Sequence, residues 1–97
     1  MNKETLERAQ TQANICGVFS SATRVCILWV LAAEKEKSVG EIASSVGSSL
    51  QNTSQHLRLM KDKGVVTSRR EGQTVYYRIK RNDLVDRCRL LLQEQQR

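Results

Sequence analysis

The sequence predicts a mainly α-helical domain with one β-hairpin, a winged helix-turn-helix that pairs into a homodimer through its first and last helices. Three observations carry that prediction. Residues 38–47 and 48–64 are two short helix-forming runs, each opened by serine and closed by glycine. Residues 65–70 and 74–79 are two β-prone runs parted by Glu71-Gly72-Gln73, a glycine-containing hairpin loop. Positive charge gathers on those same segments: from Gln55 to Arg81 stand Arg58, Lys61, Lys63, Arg69, Arg70, Arg78, Lys80 and Arg81 against only Asp62 and Glu71. A basic footprint that coincides with a helix pair and a hairpin is what a phosphate backbone requires.

Taken in order, residues 3–16 form the first helix. Leu6, Ala9, Ala13 and Cys16 share one arc of it, and Gly17 is expected to break it. Ser20 or Ser21 caps the second helix, which runs to Ala33. Its core, ATRVCILWVLAA, is apolar nearly all round and should be the central buried helix, with Ile27, Leu28 and Leu31 on one side and Cys26, Trp29, Val30 and Ala33 on another. Glu34-Lys35-Glu36-Lys37 reads as a charged, solvated link. The helix-turn-helix then spans about residues 38–63. Ser38 with Glu41 three residues on has capping-box spacing, and Ile42, Ala43 and Val46 form a small apolar face. In the second helix, about 100° per residue sets Leu50, Thr53, Leu57 and Met60 on an inner side and Gln51, Ser54, Gln55 and Arg58 on an outer one. In the wing, residues 65–79, Val75, Tyr77 and Ile79 alternate with Thr74, Tyr76 and Arg78. Arg78 and Lys80 lie at its base, Arg69 and Arg70 at its tip. The last helix, residues 82–95, begins at Asn82 or Asp83 and carries the stripe Leu84, Val85, Cys88, Leu91 and Leu92.

An outer face of amides, a hydroxyl and a guanidinium is, by itself, an ordinary solvated helix surface. Its position between a tight turn and a basic hairpin favours double-stranded DNA, where Gln and Arg make bidentate bonds to base edges. An RNA-binding or architectural winged helix is the rival. The chain of 97 residues is one domain with a net charge of +6 and few large side chains: one Phe, one Trp and two Tyr. The stripes on the first and last helices need cover, and a second copy is the simplest source. A two-fold dimer sets two recognition helices roughly 34 Å apart and implies a palindromic operator. No apolar run reaches the roughly 20 residues of a membrane span. The start is polar and amphipathic rather than a signal peptide, and three widely spaced cysteines do not make a secreted framework. A cytoplasmic protein is expected. With no Cys-x-x-Cys and one histidine, a thiol enzyme is not.

The order of elements, with TR-V-C-IL-W-VL, EIASSVG, NTSQHLRLMKDKGVV and REGQTVYYRI, resembles the ArsR/SmtB family of transcriptional repressors over about residues 19–92. The resemblance implies a homodimer that binds an operator and is released by an inducer, often a metal, metalloid or reactive sulfur species. It also implies that Gln51, Ser54 and Gln55 contact bases, that Ser49 lies near phosphate, and that Arg69, Arg70 and Gln73 belong to the DNA-facing wing. Asn52 and Arg58 are grouped with these DNA contacts. His56 matches a family histidine at the flank of the helix; it is grouped with the DNA contacts as a hydrogen-bonding or phosphate-side residue rather than a metal ligand. Ser38 and Gly40 stand where metal sensors of this kind carry Cys-x-Cys, and the last helix has no histidine, so neither standard metal site is expected.

Cys16, Cys26 and Cys88 are the remaining chemistry. Each lies in an apolar stretch and reads equally well as a small buried hydrophobe. If the first and last helices pack together, Cys16 and Cys88 can approach; Cys26 is the other candidate to face Cys88. Such thiols would capture arsenite or another thiophilic ion, or close a disulfide or polysulfide link. No resident cofactor is expected.

Overall fold

The computed structural model describes residues 2–81. α1 (Lys3–Gly17) runs into a 3-10 turn (Val18–Ser20), followed by α2 (Ala22–Ala33), β1 (Lys37–Ser38), α3 (Val39–Val46), α4 (Leu50–Asp62), β2 (Val66–Glu71) and β3 (Thr74–Ile79). The expected last helix, with Cys88, lies outside the described residues.

Local chemistry explains most of the boundaries. Asn2 Oδ1 accepts from the Thr5 amide at 2.8 Å and opens α1. Gly17 does not break that helix: its φ of −62° and ψ of −24° are helical. The chain leaves helical geometry at Phe19 (φ −92°, ψ 20°) and turns fully at Ser21, whose hydroxyl caps α2. Glycine permits a break but does not force one. Ser38 and Glu41 form the full reciprocal capping box at α3. Hydrogen bonds from Ser38 hold the Glu41 carboxyl below its ordinary value.

The sheet has three strands in the order β1-β3-β2, all antiparallel. The link before α3 is therefore not simply solvated: Lys37 pairs with Tyr77 and Ser38 with Tyr76. The hairpin is also tighter than expected. Glu71 pairs with Thr74, leaving a two-residue turn of Gly72 and Gln73. Gly72 takes φ 62° while no non-glycine residue is left-handed. That is the demand a hairpin turn makes of glycine at its first central position.

The core gathers one face of every helix. Ile27, Ile42, Leu57, Met60 and Val65 are completely excluded from solvent, and Leu28, Leu31, Val66 and Ile79 pack around them. Each such side chain contributes about 1.5–3 kcal/mol by burial. α2 is less enclosed than its composition suggests: Ile27, Leu28 and Leu31 are buried, Cys26, Trp29 and Val30 are half-buried, and Ala33 is exposed. α1 reaches the core only through Ile15 at its end, with Val18 of the following turn beside it. Its predicted stripe, Leu6, Ala9, Ala13 and Cys16, is exposed along its whole length. No single helix among the described residues is long and apolar enough to cross a membrane.

Candidate nucleic-acid interface

α3 and α4 are joined by a turn that fixes the angle at which α4 leaves the core. Gly47 adopts φ 68°, and the Ser48 amide donates back to the Ala43 carbonyl at 3.0 Å. Ser49 Oγ then accepts from the Asn52 amide at 3.0 Å, while Asn52 Nδ2 donates to Ser48 Oγ at 2.8 Å. Ser49 and Asn52, both expected DNA contacts, thus spend their side chains on building the start of α4. At the far end Gly64 (φ 77°) reverses the chain, and the Val65 amide donates to the Met60 carbonyl at 2.9 Å. Lys61 Nζ donates to Ser68 Oγ at 2.8 Å and ties α4 to β2.

Between these ends α4 is sharply two-sided. Thr53, Leu57 and Met60 are buried beneath it. Gln51, Gln55 and Arg58 are exposed and Ser54 is half-exposed, as expected. Among the described residues these four side chains make no hydrogen bond or ion pair, so their donors and acceptors are available to a ligand. Leu50 departs from expectation. The helical period puts it on the inner side, yet it is 60% exposed. As the first residue of the helix it projects past the edge of the core, which a helical wheel does not register.

The wing holds its charges differently. Arg69 Nη2 lies 2.6 Å from Glu36 Oε1, Arg69 Nε lies 3.0 and 2.9 Å from the two Glu36 oxygens, and Arg69 Nη1 lies 2.8 Å from Glu71 Oε2. The guanidinium also sits 4.6 Å from the centre of the Tyr76 ring. The hydrogen bond from Arg69 is the main cause that holds the Glu36 carboxyl below its ordinary value, and the reciprocal bonds raise Arg69 further. Arg69, read from sequence as a DNA-facing cation, is already compensated by two carboxylates. Arg70 and Gln73 are exposed at the tip without such partners among the described residues. No sequence signal announced Glu36, which is 33 positions from Arg69.

His56 stands half-buried on the flank of α4, its Nδ1 3.3 Å from Arg24 Nη1. Arg24, from the first turn of α2, also donates through Nε to the Val18 carbonyl. One side chain thereby joins the end of α1 to α4, a role that no period in the sequence assigns. Cys16 lies two residues before Val18. It is disulfide-bonded, and Gln12 Nε2 donates to its sulfur at 3.1 Å. Cys26 is a free, half-buried cysteine. Among the described residues no group of three or more His, Cys, Asp or Glu side chains can hold a metal ion.

Comparison with known proteins agrees with this geometry. A helix-turn-helix domain family matches residues 19–69, more than half of the chain. The regulator KmtR of Mycobacterium tuberculosis is 42% identical over 62 residues, covering 64% of this chain and 47% of that protein. A homologue of the cadmium resistance regulatory protein CadC from Staphylococcus aureus is 42% identical over 65 residues, covering 67% and 54%. A biofilm growth-associated repressor of Xylella fastidiosa is 32% identical over 80 residues, covering 81% and 69%. The chain spans about half the length of the first two relatives. Among solved structures, the homodimeric winged helix-turn-helix domain of a possible ArsR-family regulator from Mycobacterium bovis superposes with a TM-score of 0.85 at 28% identity, covering 99% of this chain and 88% of that one. Reduced HlyU from Vibrio cholerae superposes with a TM-score of 0.81 at 28% identity, covering 95% and 96%. With the helix-turn-helix, the three-stranded wing and these relatives in agreement, the chain belongs to the ArsR/SmtB family of winged helix-turn-helix transcriptional regulators.

Proposed function

We propose that this protein is a cytoplasmic, homodimeric repressor that binds a palindromic operator and is released by oxidation of cysteine thiols. The observation that carries the DNA-binding reading is the outer face of α4. Gln51, Ser54, Gln55 and Arg58 stand side by side, without partners among the described residues, on a helix bolted to the core from beneath. A recognition helix enters a major groove in this way, with Gln and Arg matching base edges. The exposed stripe of α1 supports the dimer, because a second copy would remove Leu6 from water. Arg70 and Gln73 would follow the phosphate backbone beside it.

For release, the supporting feature is the short path from Cys16 through Val18 and Arg24 to His56. We assign Cys16 and Cys88 as the reacting pair, because they stand on the apolar stripes predicted for the first and last helices. In the reaction two thiols lose two electrons and two protons to an oxidant or polysulfide, and one S–S bond forms. Tying α1 to another segment would shift the turn at Val18, and through Arg24 the pitch of α4. Capture of a thiophilic ion by the same thiols is the second reading, favoured by the cadmium-resistance relative.

Selection from a random-duplex pool should return a two-fold symmetric site, and binding to it should fall steeply with salt. Oxidised wild type should bind that duplex more weakly than reduced wild type. Cys16→Ser and Cys88→Ser should bind equally well in both conditions, and Cys26→Ser should behave as wild type. A response to polysulfide and arsenite that survives in all three variants would make the cysteines purely structural.

A further inference from the structure

Leu50 is more exposed than any other large apolar side chain noted in the described part, at 60% against 49% for Leu6 and 37% for Leu59. Leu6 belongs to the α1 stripe, for which a second copy is the natural cover. Leu50 is different. It opens α4 and lies beside Gln51; around the helix axis it falls within about 20° of the buried Leu57, but as the first residue of the helix it projects past the edge of the core. Its exposure comes from its place at the leading end of the helix, where no core lies beneath it.

The other side chains of this turn are already engaged. Ser48, Ser49 and Asn52 bond to one another and to the backbone. Leu50 and Gln51 are the two left to project from the leading end of the helix. In helix-turn-helix proteins that end is the part that reaches base edges. The major groove offers a leucine only one apolar partner, the C5-methyl group of thymine. Every other edge there presents a donor or acceptor that a leucine would strip of water without replacing the bond.

We propose that Leu50 is a specificity-determining residue that packs on the 5-methyl group of one thymine in each operator half-site. The inference rests on the operator-binding reading above and adds a base to it. Leu50→Ala should fold normally, since the side chain is exposed and alanine favours helix.

The test uses a duplex enriched by wild-type protein from a random pool. Each thymine is replaced singly by deoxyuridine, which removes only the methyl group. At one thymine per half-site, wild type should bind about three- to fivefold more weakly, the worth of one buried methyl. Leu50→Ala should bind thymine and deoxyuridine duplexes equally at that position. If no replacement weakens wild type, or if the same loss persists in Leu50→Ala, the inference is overturned while the enriched site leaves operator binding intact. Failure of wild type to enrich any sequence overturns both.

Discussion

α4 and the wing both carry exposed cationic and amide side chains, but the chain prepares them in opposite ways. On α4 the backbone is fixed and the side chains are left available. Capping at Ser49, the turn at Gly64 and burial of Thr53, Leu57 and Met60 hold the helix, while Gln51, Gln55 and Arg58 face water. On the wing a side chain does the fixing. Arg69 is consumed by Glu36, Glu71 and Tyr76, and so latches β2 to the link before β1. A basic residue in a DNA-binding fold is thus not automatically a DNA contact. α4 keeps its outer side chains available, whereas the wing uses one of its own to hold its position.

The largest test of this contrast is the platform under α4. Leu57→Ala removes a side chain with no solvent exposure and should cost about 2–5 kcal/mol of stability, seen as a lower urea midpoint. A midpoint unchanged by that substitution would mean that α4 is not mounted as described. Next come the exposed side chains of the two regions. Gln55→Ala should relax preference at a single base position by about 1–3 kcal/mol, whereas Arg70→Ala should weaken all duplexes alike and lower the salt slope by about 1. Equal loss of preference in both variants would erase the distinction between helix and wing. The smallest effect belongs to the latch. Glu36→Gln should leave base preference and melting nearly unchanged, yet speed hydrogen exchange of the β2 and β3 amides. Because the Glu36 carboxyl is held below its ordinary 4.5, the latch is complete above that value and is lost as pH falls through the lowered one. Exchange in wild type should therefore approach that of Glu36→Gln only in acid.

Much of the architecture was legible because it is written locally. The Ser38–Glu41 capping box spans four residues, and Gly47 and Gly64 mark turns that need a left-handed residue. The outer face of α4 followed from helical period alone. Gly17 misled, because its conformational freedom was not used and the turn came at Phe19 instead. β1 was missed because two residues cannot show a strand's alternation. Leu50 was misplaced because periodicity gives the direction of a side chain but not whether the core extends beneath it.

By itself, then, the sequence determined the identity and order of the elements, the caps and turns that bound them, and which side chains of α4 face away from the core. These depend on neighbours within a few positions, where backbone geometry is shared. Only the tertiary structure decided which charges are spent and which are free. The Glu36 latch on Arg69 and the Arg24 bridge between Val18 and His56 join positions that only folding brings together. No period in the chain records such a meeting, because electrostatic and hydrogen-bond partners are chosen by distance in space.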